Sequence, residues 1–312
     1  MGPMFDVFDA PSQTSAQLQD MHFNYVLIDG SKRAEAERWL YELVDTPDYR
    51  NLFDGTEWAS IRDVAPLLVR TERGHPLLEQ LSLEGKAQEW GYAIASDESL
   101  DALADHLRRF VTVRHPLGYN VMLRFADPTV ARVLLASSGD GGVPEYWSPY
   151  TAVKLPDALW DGWHLQIRPD WLPEVGVGRN VESSASFRLG ELTLSGLTDT
   201  DRRATLVKLM QHLETYFPSR VASNLRQALI KDIRTIMEQA LANGYESLQA
   251  LLHWCTVYGY LGELSLWDTA APGIYDLFHR WPGTAAEAQA REAAMIAMSS
   301  AGTQVQGEPI HG

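Results

Sequence analysis

The chain has little cysteine: one residue, Cys255, in 312. A single thiol cannot form an internal disulfide, and such sparing use of cysteine is typical of a reducing compartment. Leu251, Leu252 and Tyr258 lie at helical spacing from Cys255, which predicts a buried, inert thiol rather than a nucleophile. We therefore expect a cytoplasmic protein without disulfides.

Basic charge and long apolar runs are also scarce. The chain has 26 Lys and Arg against 41 Asp and Glu, for a formal net charge of −15. Because phosphate contacts need a basic face, this balance argues against nonspecific nucleic-acid binding. No apolar run approaches the roughly 20 residues that span a bilayer, and the N-terminus lacks the pattern of a secretory signal. The sequence thus predicts neither a nucleic-acid partner nor a membrane partner.

The motifs of familiar catalytic and cofactor sites are missing as well. No two of the nine histidines show the zinc-hydrolase spacing, in which a Glu intervenes. The glycine-rich turn at residues 139–142 lacks the Lys-Ser/Thr of a phosphate loop, and there is no Gly-x-Ser-x-Gly elbow. Acidic pairs such as Asp97 with Asp101 fall at predicted helix starts, where capping explains them. We predict no catalytic residue, no metal ligand and no cofactor, although a site assembled only in three dimensions stays open.

Strand and helix patterns alternate over the first part of the chain. His22 to Asp29 reads as a strand that Gly30 ends. Trp90 to Ala95 reads as another, followed by a helix that Ser96 or Asp97 could cap. These patterns predict an α/β or α+β N-terminal lobe with a mixed sheet and flanking helices.

The rest of the chain changes character twice. Tryptophans and prolines are dense after residue 136, with short strands predicted at Trp163–Ile167 and Ser186–Leu194. From Thr198 the apolar spacing becomes helical, and Gly244 is placed to cap one of these helices. We expect an all-helical C-terminal lobe. The predicted division is a flexible arm (1–21), an α/β domain (22–136), a Pro/Trp-rich connecting region (137–197), a helical lobe (198–298) and a flexible tail (299–312).

Aromatic residues are the remaining functional signal. The chain has ten tryptophans, and Trp and Tyr are enriched where proteins bind proteins. Core packing is the commoner fate of any single aromatic residue. As a group, Leu251, Trp254 and Tyr258 on one predicted helix, with Trp267 after it, are the residues that we predict to contact another protein.

Several blocks of the N-terminal lobe resemble, in collinear order, a bacterial family long catalogued as a domain of unknown function. The family comprises effector adaptors and chaperones of the type VI secretion system, of the Tap/Tec type. This chain has Ala126 and Thr129 where the family usually has an aromatic residue before an Asp-Pro pair and often an Arg after it. The blocks are Val26–Gly30, Tyr49–Thr56, Val64–Val69, Trp90-Gly91, Ser96–Leu100, His106–Phe110 and Leu123–Val130.

The resemblance covers roughly residues 22–136, and the helical region from Thr198 is similar to the variable C-terminal lobe of such adaptors. It implies a non-enzymatic adaptor chaperone that binds a toxic effector and helps load it onto a VgrG or PAAR-type spike component. Two rivals remain: a hydrolase or transferase whose site is not visible in sequence, and a structural module that binds the spike without cargo. The Asp29-Gly30 and Asp127-Pro128 positions read as turns and caps that serve the fold.

Overall fold

A computed structural model of the chain describes residues 6–11, 21–136, 142–172 and 187–305. The chain forms two compact units, Met1–Asp201 and Arg202–Gly312, called here the sheet unit and the helical unit. The first combines an antiparallel sheet with helices and the second is helical, so the predicted fold class is confirmed. The five-part division by residue number stays a prediction.

The described residues of the sheet unit form two sheets. The larger has the strand order β2-β3-β1-β4-β7-β8, and β5 pairs with β6 in a separate hairpin. Each pairing within the two sheets is antiparallel, which refines the mixed sheet that we expected. The strands are β1 (Tyr25–Ile28), β2 (Tyr49–Asn51), β3 (Leu67–Arg70), β4 (Gly91–Ala95), β5 (Thr112–Arg114), β6 (Asn120–Met122), β7 (Ala152–Asp157) and β8 (Gly162–Ile167).

The two central strands, β1 and β4, are buried along their whole length. Alternate side chains of β1 enter different cores, with Leu27 on one face of the sheet and Val26 on the other. Burial on both faces requires the near-continuous apolar runs that both strands have. A Cβ added at Gly91 would lie 2.3 Å from the Leu27 carbonyl oxygen, so only glycine permits this close pairing.

Side-chain caps start three helices of this unit, and His75 Nδ1 provides one of them by accepting the Leu77 N–H at 3.2 Å. Ser99 Oγ accepts a hydrogen bond from the Ala102 N–H at 3.2 Å, so Ser99 is the cap that we had assigned to Ser96 or Asp97. Asp127 Oδ1 accepts the Thr129 N–H at 2.8 Å. The helices are α1 (Ala36–Leu43), α2 (Pro76–Gln80), α3 (Lys86–Gln88), α4 (Leu100–Arg108), α5 (Pro128–Leu135) and α6 (Glu191–Tyr216), which runs on into the helical unit.

Two local expectations fail in the sheet unit. The strand predicted over Ser186–Leu194 is wrong in its second half, because α6 begins at Glu191 and Arg188 forms only an isolated bridge. Its short apolar run fits helical as well as strand spacing. Residues 6–11, expected within a flexible arm, pack against the unit: Arg132 Nη1 donates to the Val7 carbonyl oxygen at 3.1 Å. The glycine-rich turn falls outside the described residues apart from Gly142.

The described residues of the helical unit form no strand. Gly244 follows α8 at φ 91°, the left-handed cap that the sequence predicted. α12 packs along α9, and its buried residues on that face are alanines such as Ala293 and Ala297. Helix α12 continues to Val305, whereas the sequence predicted that the helical lobe ends at residue 298. The helices are α7 (Pro218–Ala222), α8 (Arg226–Ala242), α9 (Leu248–Leu261), α10 (Trp267–Ala270), α11 (Ile274–His279) and α12 (Ala286–Val305).

Within the described ranges, no helix combines the length and the apolar character needed to cross a bilayer.

Candidate protein-binding surfaces

The four residues predicted to contact another protein lie together in the core of the helical unit. Leu251 and Tyr258 are 3% and 2% exposed, and Trp254 and Trp267 are fully buried. The two indole rings stack with their centroids 5.8 Å apart. Their expected exposure is therefore wrong, because large apolar residues at helical spacing mark the face that a helix turns toward its neighbours. Their contact with a partner stays a prediction.

Polar atoms of this core are also tied to the protein. Tyr258 Oη donates to Asp232 Oδ2 at 3.0 Å, and Trp267 Nε1 donates to the Gly262 carbonyl oxygen at 2.9 Å. Burial raises the pKa of the Cys255 thiol, and Cys255 Sγ contacts the Leu209 carbonyl oxygen at 3.4 Å. The predicted buried thiol is confirmed, since the thiol group rather than the reactive thiolate is favoured there.

The motif blocks at Asp29 and Asp127 meet in one ion-pair cluster of the sheet unit. Asp29 directly follows β1, and Asp127 caps α5. Arg124 Nη2 lies 2.9 Å from Asp29 Oδ2, and Lys32 Nζ lies 3.0 Å from Asp127 Oδ2. Ser31 Oγ donates to Asp29 Oδ1 at 2.6 Å. The cluster joins the end of a central strand to the start of a helix about 100 residues later.

The electrostatics of this cluster fit a structural role. Burial by itself would raise the pKa of the Asp127 carboxyl, but Lys32, the Thr129 N–H and Arg124 together lower it. The carboxylate is therefore charged and neutralised by neighbouring cations. Asp29 and Asp127 thus pair with Arg124 and Lys32, and Asp201 adds a further acidic charge near Arg124. This arrangement agrees with our interpretation of these positions as turns and caps.

Two buried histidines bear on the enzyme alternative. His106 Nε2 lies 3.4 Å from the Tyr146 carbonyl oxygen, and burial lowers the pKa of His106 to about 3. His164 Nε2 lies 2.6 Å from Asp157 Oδ2, but Arg132 Nη1 contacts the same oxygen at 3.1 Å. The His164 pair therefore belongs to a buried ion-pair group. Among the described residues, no three His, Cys, Asp or Glu are grouped so as to hold a metal ion.

Three open cavities of the described part are lined by other residues. One of about 440 Å³ lies at the start of α1, beside Lys32 and Trp39. Another of about 260 Å³ lies beside Phe23. The third, of about 680 Å³, lies between the starts of α9 and α12 in the helical unit. Neither His106 nor His164 lines any of the three, although His22 lines the second and His253 the third.

Exposed apolar side chains form a different surface in each unit. In the sheet unit three of them lie close together in sequence on the β5–β6 hairpin: Leu117, Tyr119 and Met122 are 80%, 53% and 39% exposed, and we call them the hairpin surface. In the helical unit Trp281 is 72% exposed, and the position of a Cβ at Gly244 would be 2.5 Å from its ring. Sequence reasoning missed both surfaces. The available signal was Leu117 beside Gly118 in a turn, where apolar side chains seldom find a core.

The fold and the ion-pair cluster thus describe a domain in which the recognisable motifs hold turns and helix starts. Residues 24–142 match the model of the family described as a domain of unknown function, DUF4123. The resemblance to the adaptor family of type VI secretion is confirmed. The chain is also 26% identical over 290 residues to "Accessory protein VasW" of Vibrio cholerae serotype O1, covering 91% of each protein. No solved structure matches the chain.

Proposed function

We propose that the chain is an adaptor chaperone of the type VI secretion system. It binds a cognate toxic effector in the cytoplasm and helps load it onto a VgrG or PAAR-type spike component, without catalysing a reaction. The observation that carries this proposal is the extent of the similarity to the accessory protein. That similarity covers 91% of the chain and so reaches well beyond residues 24–142, into the helical unit.

The arrangement of the side chains supports the same proposal. The motif residues Asp29, Arg124 and Asp127 are engaged in ion pairs with one another and with Lys32, which supports a role in the fold rather than in binding a substrate. Each unit also presents exposed apolar side chains, which are the groups that protein partners cover. An adaptor needs such surfaces for its effector and for the spike.

The four buried residues Leu251, Trp254, Tyr258 and Trp267 enter the proposal as supports. We propose that they hold α9 and the segment after it in place, and that exposed neighbours such as Trp281 make the contact. Rigid support of this kind lowers the entropy that binding costs.

Co-expression with the toxin encoded beside this gene tests the proposal. The tagged toxin is purified, and the eluate is analysed by size exclusion with light scattering. We expect a complex that contains both chains, whereas a toxin from an unrelated secretion cluster, prepared in the same way, should elute alone. Repeated separation of the two chains when both are soluble would contradict the adaptor function.

The same preparation distinguishes the rival functions. Retention of the spike component with loss of the toxin would favour a structural module without cargo. Turnover of a small molecule, abolished by His164→Gln, would favour an enzyme. In the full chain, Tyr119→Ser removes an exposed aromatic side chain of the sheet unit, and Trp281→Ser removes one of the helical unit. The partner that each variant fails to retain, the toxin or the spike component, is the one that binds to that unit.

A further inference from the structure

The stretch from His106 to Ala126 is unusual in this acidic chain because it contains four arginines and no Asp or Glu. Two of them are paired outside the stretch: Arg108 with Asp105, and Arg124 with Asp29. Among the described residues, no carboxylate lies within ion-pair distance of Arg114 on β5. The hairpin therefore has uncompensated positive charge.

A second arginine adds to this charge from another segment. Arg188 Nη2 donates to the Pro116 carbonyl oxygen at 2.9 Å, and Arg114 Nε donates to the Gly118 carbonyl oxygen at 3.3 Å. Both guanidinium groups thus bracket the hairpin turn and bind only backbone oxygens there. The nearby acid is Glu57, whose carboxylate accepts the Thr112 hydroxyl at 2.8 Å, at the opposite end of β5.

No residue in the described part of the chain pairs with the outer edge of β6. The Leu123 N–H donates to Val111 and the His115 N–H donates to the Tyr119 carbonyl oxygen. Hydrogen-bonded pairs alternate along an antiparallel ladder, so the backbone groups of Asn120 and Met122 point away from β5. Within the described ranges these two residues have no hydrogen-bonding neighbour on that side.

The opposite edge of the hairpin is already occupied. The Arg114 N–H donates to the Phe187 carbonyl oxygen at 2.7 Å, and the Leu189 N–H donates to the Arg114 carbonyl oxygen at 3.0 Å. One additional strand can therefore add to this hairpin, at β6. Beside it, Tyr119 is held in position by stacking on His115, with the ring centroids 4.4 Å apart and the planes inclined by 10°.

We infer that the β6 edge binds an extended, acidic segment of a partner protein as an added strand. The outward backbone groups of Asn120 and Met122 would hydrogen-bond to the segment, and the hairpin surface would contact its apolar side chains. Arg114 and Arg188 would attract its carboxylates. This inference deepens the proposed function, on which it rests, by naming the chemistry of one partner.

Two other occupants fit less well. A second copy of this chain would place its own Arg114 and Arg188 beside the same two cations, and like charges repel. A nucleic acid would satisfy the cations, but its phosphates supply no strand to complete the backbone ladder, and the net charge of −15 would repel it.

A labelled peptide in which Glu and Val alternate tests the inference with the full chain. We expect binding, measured by fluorescence anisotropy, that weakens as salt is added. The matched peptide with Lys in place of Glu should not bind. Binding should also slow hydrogen exchange at the Asn120 and Met122 amides, which a contact through side chains alone would not do.

Variants of the full chain separate the two contributions. Arg114→Glu should weaken binding by roughly tenfold, because an attraction becomes a repulsion. Arg73→Glu, which changes another exposed arginine of the sheet unit, should leave it unchanged. Met122→Pro removes an outward N–H and should abolish binding with little change in melting temperature, whereas Met122→Thr retains that N–H and should bind. If Met122→Pro fails to fold, Arg114→Glu and the hydrogen-exchange measurement still test whether the acidic segment binds at the β6 edge.

Equal binding of the Glu and Lys peptides, or unchanged exchange at both amides, would overturn the inference. So would tighter binding of a labelled oligonucleotide, or a dimer that Arg114→Glu dissociates. If the toxin still co-elutes while the acidic peptide does not bind, only this inference falls. If the peptide binds and the toxin never co-elutes, the proposed function falls instead.

Discussion

The acid sensitivity of the sheet unit depends on His106, which is 4% exposed and lies between the rings of Phe110 and Tyr150. Burial, with a smaller effect of Arg109, lowers the pKa of His106 to about 3. The unfolded chain has an ordinary histidine pKa of about 6.5. The stability that the neutral, buried His106 contributes is therefore fully present above its unfolded-state pKa. It is lost as the pH falls toward the pKa of His106 in the folded protein.

The size of the effect follows from proton uptake by the unfolded chain. Between about pH 7 and pH 5 the folded His106 stays neutral, while the unfolded residue becomes almost fully protonated. Integrating this difference gives a loss of about 1.9 kcal/mol in the free energy of unfolding. His106→Gln removes the titration and keeps a donor for the Tyr146 carbonyl oxygen. The variant should therefore lose about 1.9 kcal/mol less than the unchanged chain over the same interval.

Urea unfolding at the two pH values measures this difference. His22→Gln is the matched control, because the side chain of His22 is exposed to solvent, and it should behave like the unchanged chain. The reasoning would be refuted if the loss of unfolding free energy between the two pH values differed by less than about 0.5 kcal/mol between the unchanged chain and His106→Gln. That value is close to the error of extrapolation.

Three further outcomes follow from the packing. Gly91→Val should lower the unfolding free energy by about 3 kcal/mol or more, measured in urea, because its Cβ would lie 2.3 Å from the Leu27 carbonyl oxygen. Trp254→Ala should cost about 3–5 kcal/mol and Trp281→Ala less than about 1 kcal/mol, and thermal melts that ranked them the other way would contradict the assigned burial. Cys255 should resist a thiol reagent until denaturant is added, and rapid labelling of the folded chain would show that the thiol is accessible.

Local signals predicted much of the architecture because they act within one element. The patterns at His22–Asp29 and Trp90–Ala95 indicated strands, and β1 and β4 form within these stretches. Gly244 indicated a helix end, and its φ of 91° agrees. Asp127 before Pro128 indicated a cap, and it caps α5. Each of these features depends on residues only a few positions apart.

The binding surfaces could not be predicted in this way. Trp254 and Trp281 are the same residue type in neighbouring segments, yet one is fully buried and the other is 72% exposed. The difference depends on whether other helices cover the side chain, which periodicity within one helix does not report. The residues chosen from sequence were therefore those with the strongest apolar pattern, and that pattern marks the core.

The sequence by itself determined the acidic charge, the sparing use of cysteine, the two central strands and the caps at Asp127 and Gly244, since composition and short-range spacing suffice for these. Only the tertiary structure decided that Arg124 pairs with Asp29 across 95 residues. It also decided that β5 has a neighbour on its outer side, whereas no described residue pairs with the outer side of β6. Long-range pairing and solvent exposure depend on which distant elements pack together, and no local pattern contains that information.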